Sequence, residues 1–79
     1  MTQQVTIFTT PSCVYCKMAK EFFQKNNIQY VEKDVAADTV SRDEMIRKSG
    51  QFGVPVIEVG EKIIIGFDQA RLKDSLGIS

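Results

Sequence analysis

Apolar residues recur along this chain with two different periods. Val5-Thr6-Ile7-Phe8-Thr9 is short, β-branched and aromatic and runs into Thr10-Pro11-Ser12, which predicts a buried strand followed by a turn. Beyond Cys13 the spacing changes: Val14, Met18, Ala19, Phe22 and Phe23 fall at i, i+4, i+5, i+8 and i+9. Lys17, Lys20, Glu21, Gln24 and Lys25 lie mostly on the other side, so a helix is expected to start beside Cys13 and to end at Asn26-Asn27.

Ile28 to Asp34 alternates as a second strand, with Ile28, Tyr30 and Val31 directed inward. The intervening helix makes a β-α-β unit, whose strands should be parallel and joined by a right-handed crossover. Asp38 to Ser49 reads as a second helix, with Ser41 and Glu44 in capping-box spacing, Met45 and Ile46 inward and Gly50 as its stop. Val54-Pro55-Val56-Ile57-Glu58-Val59 and Lys62-Ile63-Ile64-Ile65 flank Gly60-Glu61, a hairpin signal. Asp68 can cap a last helix in which Leu72 and Leu76 are i, i+4 neighbours and Gly77 marks the exit. The order β-α-β-α-β-β-α predicts an α/β fold, a mixed four-stranded sheet flanked by three helices. No repeat or linker interrupts residues 1–79, which read as a single domain.

Composition narrows the function classes. Of the 79 residues 43% are hydrophobic and 25% charged, which is ordinary for a globular protein and argues against disorder. Ten basic and ten acidic residues balance to zero, and neither sign forms a run of five or more, so nucleic-acid binding has no electrostatic support. No aliphatic stretch is longer than that at Ile63-Ile64-Ile65, and Met1-Thr2-Gln3-Gln4 offers neither a basic nor a hydrophobic leader, so neither a membrane span nor a secretory signal is expected. A cytoplasmic location is the resulting expectation. Histidine is absent, which excludes Ser-His and Cys-His hydrolase schemes.

Both cysteines stand together, as Cys13-Val14-Tyr15-Cys16. A bridge across so short a loop would remove only about 2 kcal/mol of unfolded-state entropy, a poor structural reason for the pair. With no second pair and no histidine, one chain also lacks the four ligands that zinc or a cubane cluster requires, and no metal site is expected. Redox chemistry is the sharper reading. Cys13 falls at a helix start, among amides without intrahelical acceptors and beside the positive end of the dipole, a position that favours thiolate. Lys17, one turn on, adds positive potential, while Cys16 lies nearer the apolar stripe, where desolvation favours the thiol. Cys13 should therefore attack and Cys16 resolve the mixed disulfide. Pro55, at the start of a strand, is either an edge feature or a place where the chain presents its backbone to another group. Its order after the cysteine turn favours a cis Val54-Pro55 bond beside Cys13.

Thr9-Thr10-Pro11-Ser12-Cys13-Val14-Tyr15-Cys16, Val54-Pro55 and Gly66-Phe67-Asp68 together resemble glutaredoxins and glutaredoxin-like redoxins of the thioredoxin fold. The likeness extends over essentially the whole chain. It implies a thiol-disulfide oxidoreductase with Cys13 as nucleophile and Cys16 as resolving cysteine. It further implies glutathione as co-substrate, no tightly bound cofactor, disulfide-containing protein substrates and a monomer. Glutathione would pair with the backbone at Val54, beside Pro55, and place its γ-glutamyl end at Gly66, Phe67 and Asp68, with Tyr15 and Gln51 as further contacts. Glutathione's carboxylates suit helix N-termini and its ammonium suits Asp68. Asp68 can equally be a plain N-cap, and Phe67 can belong to core or groove.

Three positions depart from the glutaredoxin pattern. Thr10 stands where a lysine is frequent, Ile65-Gly66 where Gly-Gly is usual, and Gly53 where threonine is common. Fewer fixed charges mean weaker capture of glutathione's carboxylates. Gly66-Phe67 also resembles redoxins reduced by thioredoxin reductase that serve ribonucleotide reductase. A different class is a carrier in which Cys13 of two subunits and two glutathiones hold an iron-sulfur centre, against which Cys16 speaks by offering a competing disulfide.

Overall fold

The computed structural model describes residues 4–78. The chain runs β1 (Val5–Thr9), α1 (Val14–Lys25), β2 (Val31–Asp34), α2 (Thr39–Ser49), β3 (Val56–Val59), β4 (Lys62–Ile65) and α3 (Gln69–Leu76), the expected element order. One sheet results, in the order β2-β1-β3-β4, with β1 and β2 parallel and the remaining neighbours antiparallel. Among the described residues no helix is long and apolar enough to cross a membrane.

β1 is central and buried at all five positions because both faces of the sheet are covered. Alternation divides its side chains between two cores. Val5 and Ile7 pack with Ala19, Phe22 and Phe23 of α1, Ile57 and Val59 of β3, and Leu72 of α3. Phe8 points the other way, toward Val35, Met45 and Val56. Helices α1 and α3 therefore lie on one face and α2 on the other.

Four local expectations change. In α1 the buried stripe is Cys16, Ala19, Phe22 and Phe23, while Val14 and Met18 are 69% and 42% exposed. Cys16 takes the core position of the first turn as a small apolar side chain would, which rotates the stripe away from Val14. Strand β2 begins only at Val31, which is exposed on an edge strand, while Ile28 and Tyr30 pack against the core ahead of it. Strand β3 starts at Val56, so Val54 and Pro55 precede the ladder. Finally, Ser41 and Glu44 form no capping box. Asp38 caps α2 by accepting the Val40 amide at 3.2 Å, and the Ser41 hydroxyl donates to Asp38 at 2.7 Å from inside the helix.

Glu44 instead links α2 to β2 and, through Lys48, to β3. It pairs with Lys33 of β2 at 2.7 Å and with Lys48 at 3.3 Å, and Lys48 pairs with Glu58 of β3 at 3.0 Å. Lys33's hydrogen bond is the main reason the Glu44 carboxyl is held below its ordinary range. Asp68 and Gly77 bound α3 as expected, with Gly77 in the left-handed region that a helix stop favours.

Candidate functional site

β1 ends at Thr9, and the Cys13 amide donates to the Thr10 carbonyl at 3.2 Å, closing the turn that delivers Cys13 to the head of α1. Cys13 itself is the N-cap of α1, with extended backbone at φ −84°, ψ 112°. Its Sγ accepts the Cys16 amide at 3.1 Å, and its carbonyl accepts the Lys17 amide at 3.2 Å. The cysteines are joined as a disulfide with their Cα atoms 5.2 Å apart. Cys13 is half-buried and Cys16 only 1% exposed. A hydrogen-bond donor thus faces the outer sulfur while the inner sulfur is desolvated.

The Val54-Pro55 bond is cis, as the order of elements suggested. The antiparallel register that pairs Phe8 with Val56 carries Pro55 to the level of Thr9, where β1 gives way to the cysteine turn. The Pro55 carbonyl accepts the Gly66 amide at 2.9 Å, which ties the corner after β4 to the same end of the sheet. Gly66 sits at φ 81°, a conformation that favours glycine. Phe67 is half-buried, its ring edge-on to Phe22 at 6.0 Å, so it packs at the margin of the core. Asp68 caps α3 by accepting the Arg71 amide at 3.2 Å. Val54 packs against the Phe8 core, Tyr15 is 62% exposed at the head of α1, and Gln51 lies half-buried just past α2. Among the described residues no cluster of three or more metal-ligating side chains occurs.

The residues first singled out leave one feature unmentioned. A groove of about 480 Å³ runs along Cys13 between the head of α1 and the end of β2, and Thr10, Ser12, Lys17, Lys20 and Glu32 line it. None of Val54, Pro55, Gly66, Phe67 or Asp68 belongs to it. Glu32 accepts from Lys20 at 2.9 Å and from the buried Thr9 hydroxyl at 2.8 Å. Those two bonds, Lys20's first, hold its carboxyl below the ordinary range.

A family model described as Glutaredoxin matches residues 5–64. The chain is 43% identical over 68 residues to a glutaredoxin-like 8.6 kDa protein in the rubredoxin operon of Clostridium pasteurianum, covering 86% of this chain and 91% of that protein. It is 32% identical over 73 residues to glutaredoxin 3 of Escherichia coli K12, covering 92% and 88%. Among solved structures, the thioredoxin-like protein BC3987 superposes with a TM-score of 0.87 at 27% identity, over 92% of this chain and 100% of that one. The fold is thioredoxin-like.

Proposed function

The chain belongs to the glutaredoxin family and is a glutaredoxin-like thiol redox protein, and from that premise we propose that it is a dithiol oxidoreductase reducing protein or glutathione-mixed disulfides with glutathione as electron donor. One observation carries the reading: the Cys16 amide points at the Cys13 sulfur while the Cys16 sulfur is buried behind it. Negative charge on Cys13 gains a hydrogen bond and the positive end of α1, whereas charge on Cys16 meets desolvation.

The chemistry follows from that asymmetry. The Cys13 thiolate attacks one sulfur of the substrate disulfide, forms a mixed disulfide and expels the other half as a thiolate. Cys16 then loses its proton and attacks the Cys13 sulfur, releasing the second thiolate and leaving the Cys13-Cys16 disulfide. Two electrons have passed from the dithiol to the substrate. Two glutathiones return them, the first forming a mixed disulfide at Cys13 and the second leaving as glutathione disulfide.

For glutathione, the reading takes support from the Gly66-Phe67-Asp68 corner. Gly66 presents backbone without a side chain, the head of α3 carries free amides for a carboxylate, and Asp68 offers a counter-charge for the ammonium. The Val54 backbone completes the proposed cradle, with Tyr15 and Gln51 as further contacts. A monomer in the reducing cytoplasm suits this cycle.

The test is a comparison of electron donors. Turnover of a glutathione-mixed disulfide should proceed with glutathione plus glutathione reductase. Turnover only with thioredoxin reductase would reject glutathione as donor and favour a redoxin of the thioredoxin-reductase-dependent kind.

A further inference from the structure

We propose that the groove on the β2 side of Cys13 receives an acidic side chain flanking the reacting cysteine of a protein substrate, with Lys17 as its counter-charge. The inference deepens the oxidoreductase reading and rests on it.

The groove adjoins the sulfur that attacks, and its volume of about 480 Å³ exceeds what one side chain needs. Four charged residues line it: Lys17, Lys20, Glu32 and Asp34. Three of them are already committed. Lys20 and Glu32 are paired at 2.9 Å, with the Thr9 hydroxyl also donating to Glu32. The Asp34 carboxylate accepts the amides of Ala36 and Ala37 at 2.9 and 3.2 Å. Among the described residues Lys17 has no such partner. Beside it stand the hydroxyls of Thr10 and Ser12 and the first amide of α1, at Val14, which has no intrahelical acceptor.

The four charges sum to zero, but both carboxylates are engaged, Glu32 by Lys20 and Asp34 by backbone amides, so what the groove still offers is the Lys17 ammonium and hydrogen-bond donors, which a carboxylate satisfies. The position also separates this subsite from the proposed glutathione cradle, which uses Val54, Pro55 and the corner at Gly66 and shares no residue of that set with the groove. A protein substrate carries chain on both sides of its cysteine, so one flank can occupy each subsite.

The experiment uses the pre-reduced full chain and symmetrical disulfides of short capped peptides with a single cysteine, flanked by Glu, Gln or Lys. The second-order rate of Cys13-Cys16 oxidation is measured for each and divided by the rate of the same peptide with dithiothreitol, which removes differences in intrinsic disulfide reactivity. At low salt the Glu peptide should react ~3- to 10-fold faster than the Gln peptide and the Lys peptide more slowly, with the spread closing at high ionic strength. Lys17→Gln should bring the Glu-to-Gln ratio to about one, and because it is a ratio any change in Cys13 nucleophilicity cancels. Glu32→Gln, which releases Lys20 into the groove, should raise the ratio. Equal normalised rates in the native chain, a ratio that survives Lys17→Gln, or a ratio that falls in Glu32→Gln would each overturn the proposal. A chain that none of the peptides oxidises would overturn the oxidoreductase reading and this inference with it.

Discussion

The amide of Cys16 donates to the sulfur of Cys13 at 3.1 Å, so the cap of α1 and the outer redox atom are the same side chain. Serine, threonine or aspartate usually fills that capping role. Here a sulfur does, and it is a better acceptor as thiolate than as thiol.

Cys13→Ser should keep the cap and Cys13→Ala should lose it. Under reducing conditions the alanine variant is expected to be about 1 kcal/mol less stable than the serine variant, although both lack disulfide reductase activity. Urea unfolding of the two reduced proteins measures the difference, and equal midpoints would mean that residue 13 does not cap α1.

Asp68 carries two roles that substitution can separate. Asp68→Asn keeps an acceptor for the Arg71 amide, whereas Asp68→Ala removes it, at a cost of about 1 kcal/mol. If Asp68 also neutralises glutathione's ammonium, both variants should raise the KM for glutathione. Only the alanine variant should lower the unfolding midpoint.

The Lys33-Glu44-Lys48-Glu58 chain makes stability pH-dependent. Hydrogen bonding from Lys33, then from Lys48, holds the folded Glu44 carboxyl below its unfolded value, so its contribution is present above the unfolded value and lost as pH falls through the folded one. Glu44→Gln should cost about 1 kcal/mol at neutral pH and progressively less toward the acid end of the carboxylate range. Lys48 is shifted upward, chiefly by Glu58, so its share persists until pH rises past the lysine range. Denaturant melts of both proteins at several pH values read the convergence.

Gly53 and Gly66 flank the proposed cradle and provide an internal control. An added Cβ would meet nothing within 4 Å at either position, but only Gly66 has positive φ, at 81°. Gly66→Ala should therefore cost about 1 kcal/mol from backbone conformation alone, while Gly53→Ala should fall within about 0.5 kcal/mol of the native protein.

Much of this architecture was legible because its signals are local. Strand β1, the Gly60-Glu61 hairpin, the Asp68 cap and the adjacent cysteines each announce themselves within a few residues. The helix stripe was harder: spacing sets Cys16 only near a stripe that starts at Val14, whereas Cys16 belongs to it, as buried as Ala19, and Val14 does not. At the start of α2 two acceptors compete within four residues. Asp38 wins because the helix begins at Thr39, which puts Ser41 inside it. The groove beside Cys13 could not be read from sequence at all. It exists because the parallel register sets Glu32 opposite Ile7, from where its side chain meets Thr9 and Lys20, and no motif records that pairing.

The division of labour between the cysteines is tested most directly by trapping the first intermediate. Reduced Cys13→Ser and Cys16→Ser variants are each mixed with glutathione disulfide, and intact mass is followed over time. The Cys16→Ser variant should gain one glutathione rapidly, as its Cys13 thiolate displaces a glutathione thiolate, and should keep it because no neighbouring thiol can resolve the bond. The Cys13→Ser variant, whose remaining sulfur is buried, should stay unmodified on that timescale. Glutathionylation of Cys13→Ser as fast as that of Cys16→Ser would contradict the assignment of attack to Cys13 and resolution to Cys16.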